Sequence, residues 1–206
     1  MLFENPRFNW LWEKGANVVL AVIYLVFVYK FSVDFAQTLR TSVLIAIVYE
    51  TMLVYFLLTR ATPIDVSKHP YDWFIAIVGT WIPLLMRPSI EINEFQLMQI
   101  LQVVGLLISM AGLFSLSKSF GIVPANRGVK TDGIYKYIRH PLYSGYVISV
   151  FSFVVQNPST YNIVLYLFLI LFKVLRIQAE EEFLMKDKAY ADYTKKTEWR
   201  LVPFIW

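Results

Sequence analysis

Residues 144–172, which read SGYVISVFSFVVQNPSTYNIVLYLFLILF, decide how this chain folds. Two apolar stretches, 144–156 and 161–172, stand on either side of Asn-Pro-Ser at 157–159, a combination that favours a turn. As helices, the two stretches would each be about 20 Å long, whereas a hydrocarbon core is about 30 Å thick. We therefore predict a tight helical hairpin that enters a membrane, or just spans it, and returns to the side from which it started.

The composition of the whole chain also points to lipid. Of its 206 residues, 57% are hydrophobic and 17% are charged, and its mean hydropathy is +0.53. Soluble domains have about 45–50% apolar and about 25% charged residues. Four apolar segments before the hairpin predict membrane helices, at 18–35, 42–58, 73–86 and 95–116. The predicted fold class is therefore an all-α integral membrane protein with about four transmembrane helices plus a C-terminal helical hairpin.

The basic residues predict an orientation for this multi-pass protein. With the N-terminus inside, 16 of the 19 Lys and Arg residues fall on one side of the membrane, whereas only Arg40 and Arg87 fall outside. Cytoplasmic loops are rich in Lys and Arg, so we predict that both termini and the polar working surface are cytoplasmic. The net charge of +4 is explained in the same way. Membrane lipids are therefore the expected surroundings, and no nucleic-acid partner is expected.

The polar residues concentrate in two stretches that the hairpin brings to the same side. One reads RGVKTDGIYKYIRHPLY at 127–143 and lies in a region, 118–143, whose prolines and glycines predict an irregular loop. The other reads RIQAEEEFL at 176–184, where the second arm is predicted to continue as a helix through 173–188. The chain has no cysteine and only two histidines, which argues against a thiolate or transition-metal site.

Each polar residue also has a simpler interpretation. Arg176 and Glu180 are four residues apart and share a helix face, where they could form an ordinary ion pair on a solvated helix. The Glu180–Glu182 run is usually a charged face, and His140 could be a loop histidine without a task. Glu50 lies inside the second predicted helix, where an ionised carboxylate is unfavourable by roughly 2.5–3.5 kcal/mol. It is therefore either a protonated or paired group, or part of the wall of an acceptor cavity.

Five segments of the C-terminal half nevertheless occur in a distinctive order: DGIYKYIRHPLYSGY at 132–146, NPS at 157–159, RIQAEEEFL at 176–184, YADY at 190–193 and VPF at 202–204. Together they resemble the isoprenylcysteine carboxyl methyltransferase family of membrane enzymes. The chain length predicts a single domain over 1–206, and hydropathy predicts membrane helices in 1–117. The resemblance implies that 118–206 is the cofactor-binding and catalytic region. It also implies S-adenosylmethionine as the cofactor, bound in a cytoplasmic pocket that the C-terminal segments form.

The resemblance carries over to individual residues. Arg176 and Glu180 are the implied catalytic residues, and Arg176 would also face the acceptor. Independently of the resemblance, the carboxylate inside the second predicted helix makes Glu50 a further candidate for acceptor binding. The residues implied to bind the cofactor are Arg127, Gly128, Val129, Lys130, Tyr135, Arg139, His140, Pro141, Tyr143 and Glu180. In such a pocket, Arg139 or Lys130 could meet the cofactor carboxylate through charge-assisted hydrogen bonds.

Relatives of this family leave the acceptor open. The resemblance favours the carboxylate of an isoprenylcysteine-like or other lipid-like acceptor, such as a prenylated small molecule. The alternatives are a phospholipid amine N-methyltransferase or a small thiol S-methyltransferase on the same scaffold, and further away a sterol-reductase-like or non-catalytic membrane protein. A carboxylate is already ionised at pH 7. An amine or a thiol must lose a proton, and His140 or Glu180 would have to accept it.

Overall fold

The fold is all-helical apart from one pair of two-residue strands. The computed structural model describes residues 6–39, 41–87 and 95–206, so Arg40 lies outside the described residues. The helices are α1 Pro6–Thr38, α2 Thr41–Thr59, α3 Pro70–Trp81, α4 Gln96–Leu116, α5 Pro141–Gln156, α6 Thr160–Leu184 and α7 Lys188–Thr194. The predicted all-α class is therefore confirmed.

Three helical segments are long and apolar enough to cross a membrane: Asn17–Thr38, Gln96–Ser119, which is α4 with the 3₁₀ turn that follows it, and Thr160–Leu184. Two shorter apolar helices, Val43–Thr59 and Pro141–Gln156, accompany them. The third predicted membrane helix differs most from its prediction. There, α3 ends at Trp81 and a 3₁₀ turn, Ile82–Leu85, follows it. Pro83 lies in this turn and lacks the N–H that an α-helix would need at that position.

The predicted hairpin is formed by α5 and α6, but its two arms are unequal. The first arm, α5, starts at Pro141 and has 16 residues. The second arm, α6, is one uninterrupted helix of 25 residues, about 37 Å long, so it exceeds the thickness of a hydrocarbon core. It ends at Leu184, before the predicted limit of 188, and Asp187 then caps α7 by accepting a hydrogen bond from the Ala189 N–H (2.9 Å).

Small residues bring α4 and α5 into close contact. A Cβ atom built on Gly145 would lie 2.5 Å from the Ser109 nitrogen and would also collide with the Gly105 carbonyl oxygen. Ser109 is fully buried there, and its hydroxyl donates to the Leu142 carbonyl (3.1 Å). Membrane helices often pack through such small residues, because lipid provides no hydrophobic force that pushes helices together. This contact fixes the start of α5, from which several site residues project.

The loops at one end of the bundle are joined by backbone hydrogen bonds. Strand β1, Asp65–Val66, pairs antiparallel with β2, Ala125–Asn126. The Ala61 N–H also donates to the Lys118 carbonyl (2.8 Å). The sequence predicted only an irregular loop over 118–143, since a ladder of two residues has no hydropathy pattern that could reveal it. The α2–α3 loop therefore holds the α4–α5 loop in place, and we call this side the loop end.

The opposite end of the α5–α6 hairpin is closed by hydrogen bonds around Asn162. The Asn162 amide accepts from the Arg87 N–H (3.1 Å) and donates to the carbonyls of Arg87 (2.9 Å) and Asn157 (2.8 Å). The Ser159 hydroxyl caps α6 by accepting from the Asn162 N–H (3.1 Å). The turn at 157–159 is thus tied to the end of the 3₁₀ turn that follows α3, and we call this side the turn end.

Candidate active site

A cavity opens at the loop end, above the core where α2, α4 and α6 meet. Leu57, Leu113 and Ile177 are fully buried in that core. Phe120, Leu142 and Tyr143 belong to the same core and also line the cavity. The remaining lining residues come from the end of α4, the α4–α5 loop, α6 and α7: Leu116, Ser119, Gly121, Val123, Ala125, Arg127, Gly128, Val129, Lys130, Tyr135, Arg139, His140, Glu180, Leu184, Tyr190 and Tyr193.

Most residues that the sequence implied for a cofactor site meet at this cavity. Its lining includes Arg127, Gly128, Val129, Lys130, Tyr135, Arg139, His140, Tyr143 and Glu180. Pro141 is different, because it is fully buried as the first residue of α5 and is absent from the lining. Arg176 and Glu50 are also absent from the lining, and both are buried in the helix bundle.

Glu181, rather than Glu180, organises the charges beside the cavity. Its Oε1 atom accepts from Arg139 Nε (2.7 Å) and lies 3.1 Å from His140 Nε2, while its Oε2 atom accepts from Arg200 Nε (2.8 Å). The sequence interpretation treated Glu181 as part of a solvated charged face, and this interpretation was wrong. The side chain is 10% exposed and pairs with three basic residues.

Arg139 is held in place by the same network and by the C-terminal segment. Both hydrogens of its Nη1 atom are used, on the carbonyls of Thr197 (2.7 Å) and Glu198 (2.8 Å), and its Nη2 atom donates to Glu181 (3.2 Å). With Nε also engaged, four of the five guanidinium N–H groups are occupied. These contacts fix the Arg139 guanidinium and leave one N–H group for its predicted role, which is to meet a cofactor carboxylate. Lys130, which is exposed at the rim, remains available for that role.

The C-terminal segment closes one side of the site. The Arg139 N–H donates to the Trp199 carbonyl and the His140 N–H to the Arg200 carbonyl, both at 2.9 Å. The Ser144 hydroxyl donates to the Leu201 carbonyl (2.6 Å). These bonds hold residues 199–201 against the start of α5, so the chain around the VPF motif packs beside the cavity.

Tyr143 forms the wall between the cavity and the interior of the bundle. Its hydroxyl donates to Glu180 Oε2 (2.8 Å), and its ring stacks on His140 with an interplanar angle of 4°. The Arg176 guanidinium lies 5.1 Å from the centroid of the same ring, a distance at which cation–π attraction operates. One aromatic side chain thus contacts both the cavity residues and the buried positive charge behind them.

Three further tyrosines give the cavity an aromatic side. Tyr135, Tyr190 and Tyr193 pack as one cluster, and the Tyr193 hydroxyl donates to the Tyr135 carbonyl (2.7 Å). Burial raises the pKa of Tyr193 to about 12, and it raises the pKa of Tyr135 and Tyr190 as well. The phenols are therefore neutral at physiological pH. Tyr190 and Tyr193 were not among the predicted site residues, although the YADY motif contains both.

Arg176 connects three parts of the structure. It donates to the Thr80 hydroxyl (2.8 Å) on α3, to the Gly121 carbonyl (3.4 Å) and to the Ile122 carbonyl. Its Nε atom is buried and has no hydrogen-bond partner among the described residues. Within that part of the chain, no Arg176–Glu180 ion pair forms, so the simple interpretation of an exposed intrahelical pair was wrong.

A buried lysine near Arg176 was missed by the sequence interpretation. Lys173 is 4% exposed, and its Nζ atom lies 5.1 Å from the ring centroid of Tyr143 and 4.9 Å from that of Tyr146. The signal was available, since Lys173 directly follows the apolar stretch 161–172 on the same helix. It was interpreted instead as the point at which the helix leaves the bilayer.

Glu50 lies on α2, 8% exposed. Its Oε2 atom has no hydrogen-bond partner among the described residues. The alternative that Glu50 is neutralised by an ion-pair partner therefore has no support in the described part of the chain. The alternatives of a protonated carboxyl group and of a cavity wall both stay open.

Comparison with known proteins identifies the region that builds this cavity. Residues 97–186 match the model of the isoprenylcysteine carboxyl methyltransferase (ICMT) family. No curated protein matches the chain. The matched segment runs from α4 to just past α6 and contains Arg139, His140, Tyr143, Glu180 and Glu181. The predicted resemblance is confirmed over this segment, and the match supports an isoprenylcysteine carboxyl methyltransferase-like family.

Proposed function

We propose that the protein is an S-adenosylmethionine-dependent membrane methyltransferase that methylates the carboxylate of an isoprenylcysteine-like or other lipid-like acceptor. The observation that carries the proposal is the cavity at the loop end. Residues of the family-matched segment, which includes the α4–α5 loop, converge there with residues of α7, and together they supply both signs of charge and several aromatic rings.

The chemistry of the cavity fits the proposed cofactor. The Glu180 carboxylate can accept hydrogen bonds from an ammonium or from ribose hydroxyls, and the Lys130 ammonium can pair with a carboxylate. The rings of Tyr135, Tyr190 and Tyr193 are neutral and can stack on adenine. When bound, S-adenosylmethionine supplies a methyl group activated by its sulfonium. The protein would align the acceptor with the methyl group and exclude water, and both effects lower the activation free energy of a bimolecular displacement substantially.

The hydrogen bonds at the site favour a carboxylate acceptor over an amine or a thiol. The two bases suggested from sequence are His140 and Glu180, and both are already engaged. His140 Nε2 lies against Glu181, and Glu180 accepts the Tyr143 hydroxyl. A carboxylate needs no base, because it is ionised at pH 7. Its oxygen would bond to the methyl carbon as the carbon–sulfur bond breaks and the electron pair goes to sulfur, and no proton would move.

The membrane arrangement belongs to the same proposal. Four transmembrane helices plus the α5–α6 hairpin would put the loop end, with the cavity and both termini, in the cytoplasm. Within the single domain 1–206, residues 1–117 would provide membrane helices and 118–206 the cofactor site and the catalytic residues Arg176 and Glu180. An acceptor with an isoprenoid or acyl tail could then reach the site from the lipid, with Arg176 and Glu50 on its path.

Calorimetry on the purified full-length protein in detergent tests the class of activity. We expect binding of S-adenosylmethionine and of its demethylated product, whereas binding of a nicotinamide cofactor would contradict the proposal and support a reductase relative. Transfer of a radiolabelled methyl group to a panel of prenylated carboxylates, phospholipid amines and small thiols then identifies the acceptor. Methylation that persists unchanged in Arg176→Ala would count against the role of Arg176.

A further inference from the structure

Two basic side chains of α6 lie close together in the interior of the helix bundle. Lys173 and Arg176 are three residues apart and therefore share a helix face. Both are 4% exposed, and both lie 5.1 Å from the centroid of the Tyr143 ring. Burying two like charges side by side is strongly unfavourable unless an anion compensates them.

The two cations differ in how they are bound. Arg176 uses its Nη atoms on Thr80 and on the carbonyls of Gly121 and Ile122. The Lys173 ammonium makes no hydrogen bond or ion pair in the part of the chain that the structure describes, and its neighbours are the rings of Tyr143 and Tyr146. Arg176 thus ties α6 to α3 and to the α4–α5 loop, whereas Lys173 retains three unused N–H donors.

The nearby acidic residues do not neutralise Lys173. Glu180 forms a hydrogen bond with Tyr143 and lines the cavity. Glu181 is occupied by Arg139, His140 and Arg200 on the other side of the network. Glu50, on α2, forms no ion pair with Lys173 in the described chain, and its own Oε2 atom is without a partner. No acidic side chain in the described part of the chain forms an ion pair with Lys173, and Tyr143, which contacts Lys173, also lines the cavity.

We propose that Lys173 binds the anionic group of the methyl acceptor and that Arg176 positions it by holding α3, α6 and the α4–α5 loop together. This inference rests on the proposed methyltransferase function and assigns the charge recognition to a residue outside the implied site. The ammonium stands behind the Tyr143 wall, where an acid that enters from the membrane would meet it. A neutral acceptor would leave the ammonium buried and unpaired, so Lys173 makes the site selective for anions.

The charges in the reaction predict which kinetic constant, KM or kcat, changes when Lys173 is removed. A carboxylate and a sulfonium lose their charges as the new oxygen–carbon bond forms and the carbon–sulfur bond breaks. A cation beside the carboxylate therefore stabilises the bound substrate more than the transition state. Removing it should raise KM for the acid and leave kcat unchanged or slightly higher, whereas misfolding of the site would lower kcat.

Kinetics of Lys173→Met tests this with a prenylated cysteine acid as substrate and its neutral amide as competitor. We expect KM for the acid to rise about ten- to a hundredfold, the range of a lost charge-assisted hydrogen bond, with kcat changed less than about threefold. Lys173→Arg keeps a cation and should retain most of the affinity. The matched control is Lys186→Met, which removes an exposed lysine beyond the end of α6 and should change neither constant.

The wild-type protein provides a measurement that does not depend on the folding of a variant. It should bind the acid about tenfold or more tightly than the amide, and Lys173→Met should abolish that preference. Equal binding of acid and amide by the wild-type protein, or an unchanged KM in a Lys173→Met protein that still binds S-adenosylmethionine, overturns the role of Lys173. Failure of the wild-type protein to bind the cofactor at all overturns the proposed function instead.

Discussion

The two ends of the α5–α6 hairpin use polar groups in different ways. At the turn end, the Asn162 amide makes three hydrogen bonds and the Ser159 hydroxyl caps the helix, so the polar groups satisfy one another. At the loop end, the Glu181 network is also complete, but the buried Arg176 Nε atom has no hydrogen-bond partner in the described chain, and the neighbours of the buried Lys173 ammonium there are the rings of Tyr143 and Tyr146. The hydrogen bonds at the turn end therefore hold the structure of the hairpin, whereas the unpaired donors at the loop end can still bind a ligand.

Loss of the Glu181 charge is the most damaging change that this comparison predicts. Glu181→Gln would leave Arg139 buried without its carboxylate and would release His140 and Arg200. Breaking a buried ion pair from one side costs about 3–5 kcal/mol. We expect that loss in the free energy of unfolding, measured by SDS titration in detergent, together with weaker S-adenosylmethionine binding. Glu182→Gln, at an exposed neighbour, should change both by little, and equal effects of the two variants would contradict the assignment.

Loss of the Asn162 amide should affect stability alone. Asn162→Ala would leave the Arg87 N–H and the carbonyls of Arg87 and Asn157 without their hydrogen-bond partner. We expect the free energy of unfolding to fall by about 2–3 kcal/mol. Cofactor affinity by calorimetry should stay within about twofold of wild type, because the turn end contributes no residue to the cavity lining. Ile163→Ala, at an exposed neighbour, serves as the control. A large loss of cofactor affinity in Asn162→Ala would contradict the view that the turn end serves stability and only the loop end serves binding.

Removing the Tyr143 hydroxyl should lower the affinity for the cofactor through the loss of a single hydrogen bond. Tyr143→Phe keeps the ring against His140 and Arg176 but leaves Glu180 without its donor. Since a hydrogen bond to a carboxylate is worth about 1.5 kcal/mol or more, we expect roughly a tenfold loss of cofactor affinity in calorimetry. Tyr137→Phe is the matched control, because Tyr137 is 71% exposed. An unchanged affinity in Tyr143→Phe would mean that Glu180 is not held for the cofactor.

The smallest effect is expected at the helix cap of the turn end. Ser159→Ala removes the hydroxyl that accepts from the Asn162 N–H and should lower the unfolding free energy by about 1 kcal/mol. Thr160→Ala, at the exposed next residue, should have a smaller effect in the same SDS titration. Methyl transfer should be unchanged in both variants. If both variants lowered stability equally, the cap would contribute nothing of its own.

Hydropathy predicted the helices of the fold because a membrane demands long apolar segments with satisfied backbone groups. It could not predict where α5 begins, since Pro141 to Tyr143 are positioned by the Leu142–Ser109 hydrogen bond and by the C-terminal segment. Pro83 indicated that the third helix is interrupted, and the structure agrees, but the sequence did not give the exact end of α3 at Trp81. Elements that depend on contacts between distant residues left no periodic pattern in the sequence.

At the site, motif resemblance identified nine of the nineteen residues that line the cavity, Glu180 among them, but it missed the role of the neighbouring Glu181. Adjacent residues on an α-helix point about 100° apart, so only the rotation of α6 decides that Glu180 lines the cavity and Glu181 pairs with Arg139. That rotation is set by packing against α3 and α5, which the sequence of α6 alone does not encode. Lys173 was missed for a related reason, because hydropathy treats a lysine as the end of a membrane segment whether or not it is buried.

The short ladder between β1 and β2 limits which N-terminal helices can be joined to the C-terminal region in a chimaera. It joins a loop of the N-terminal helices to the loop that carries Arg127 to Lys130, and the Arg127 Nε atom also donates to the Ala61 carbonyl (3.0 Å). The family match begins only at residue 97. A chimaera that grafts residues 97–206 onto the membrane helices of a relative would therefore need a compatible loop at 60–67. Substitutions in that loop are therefore constrained by its hydrogen bonds to the α4–α5 loop.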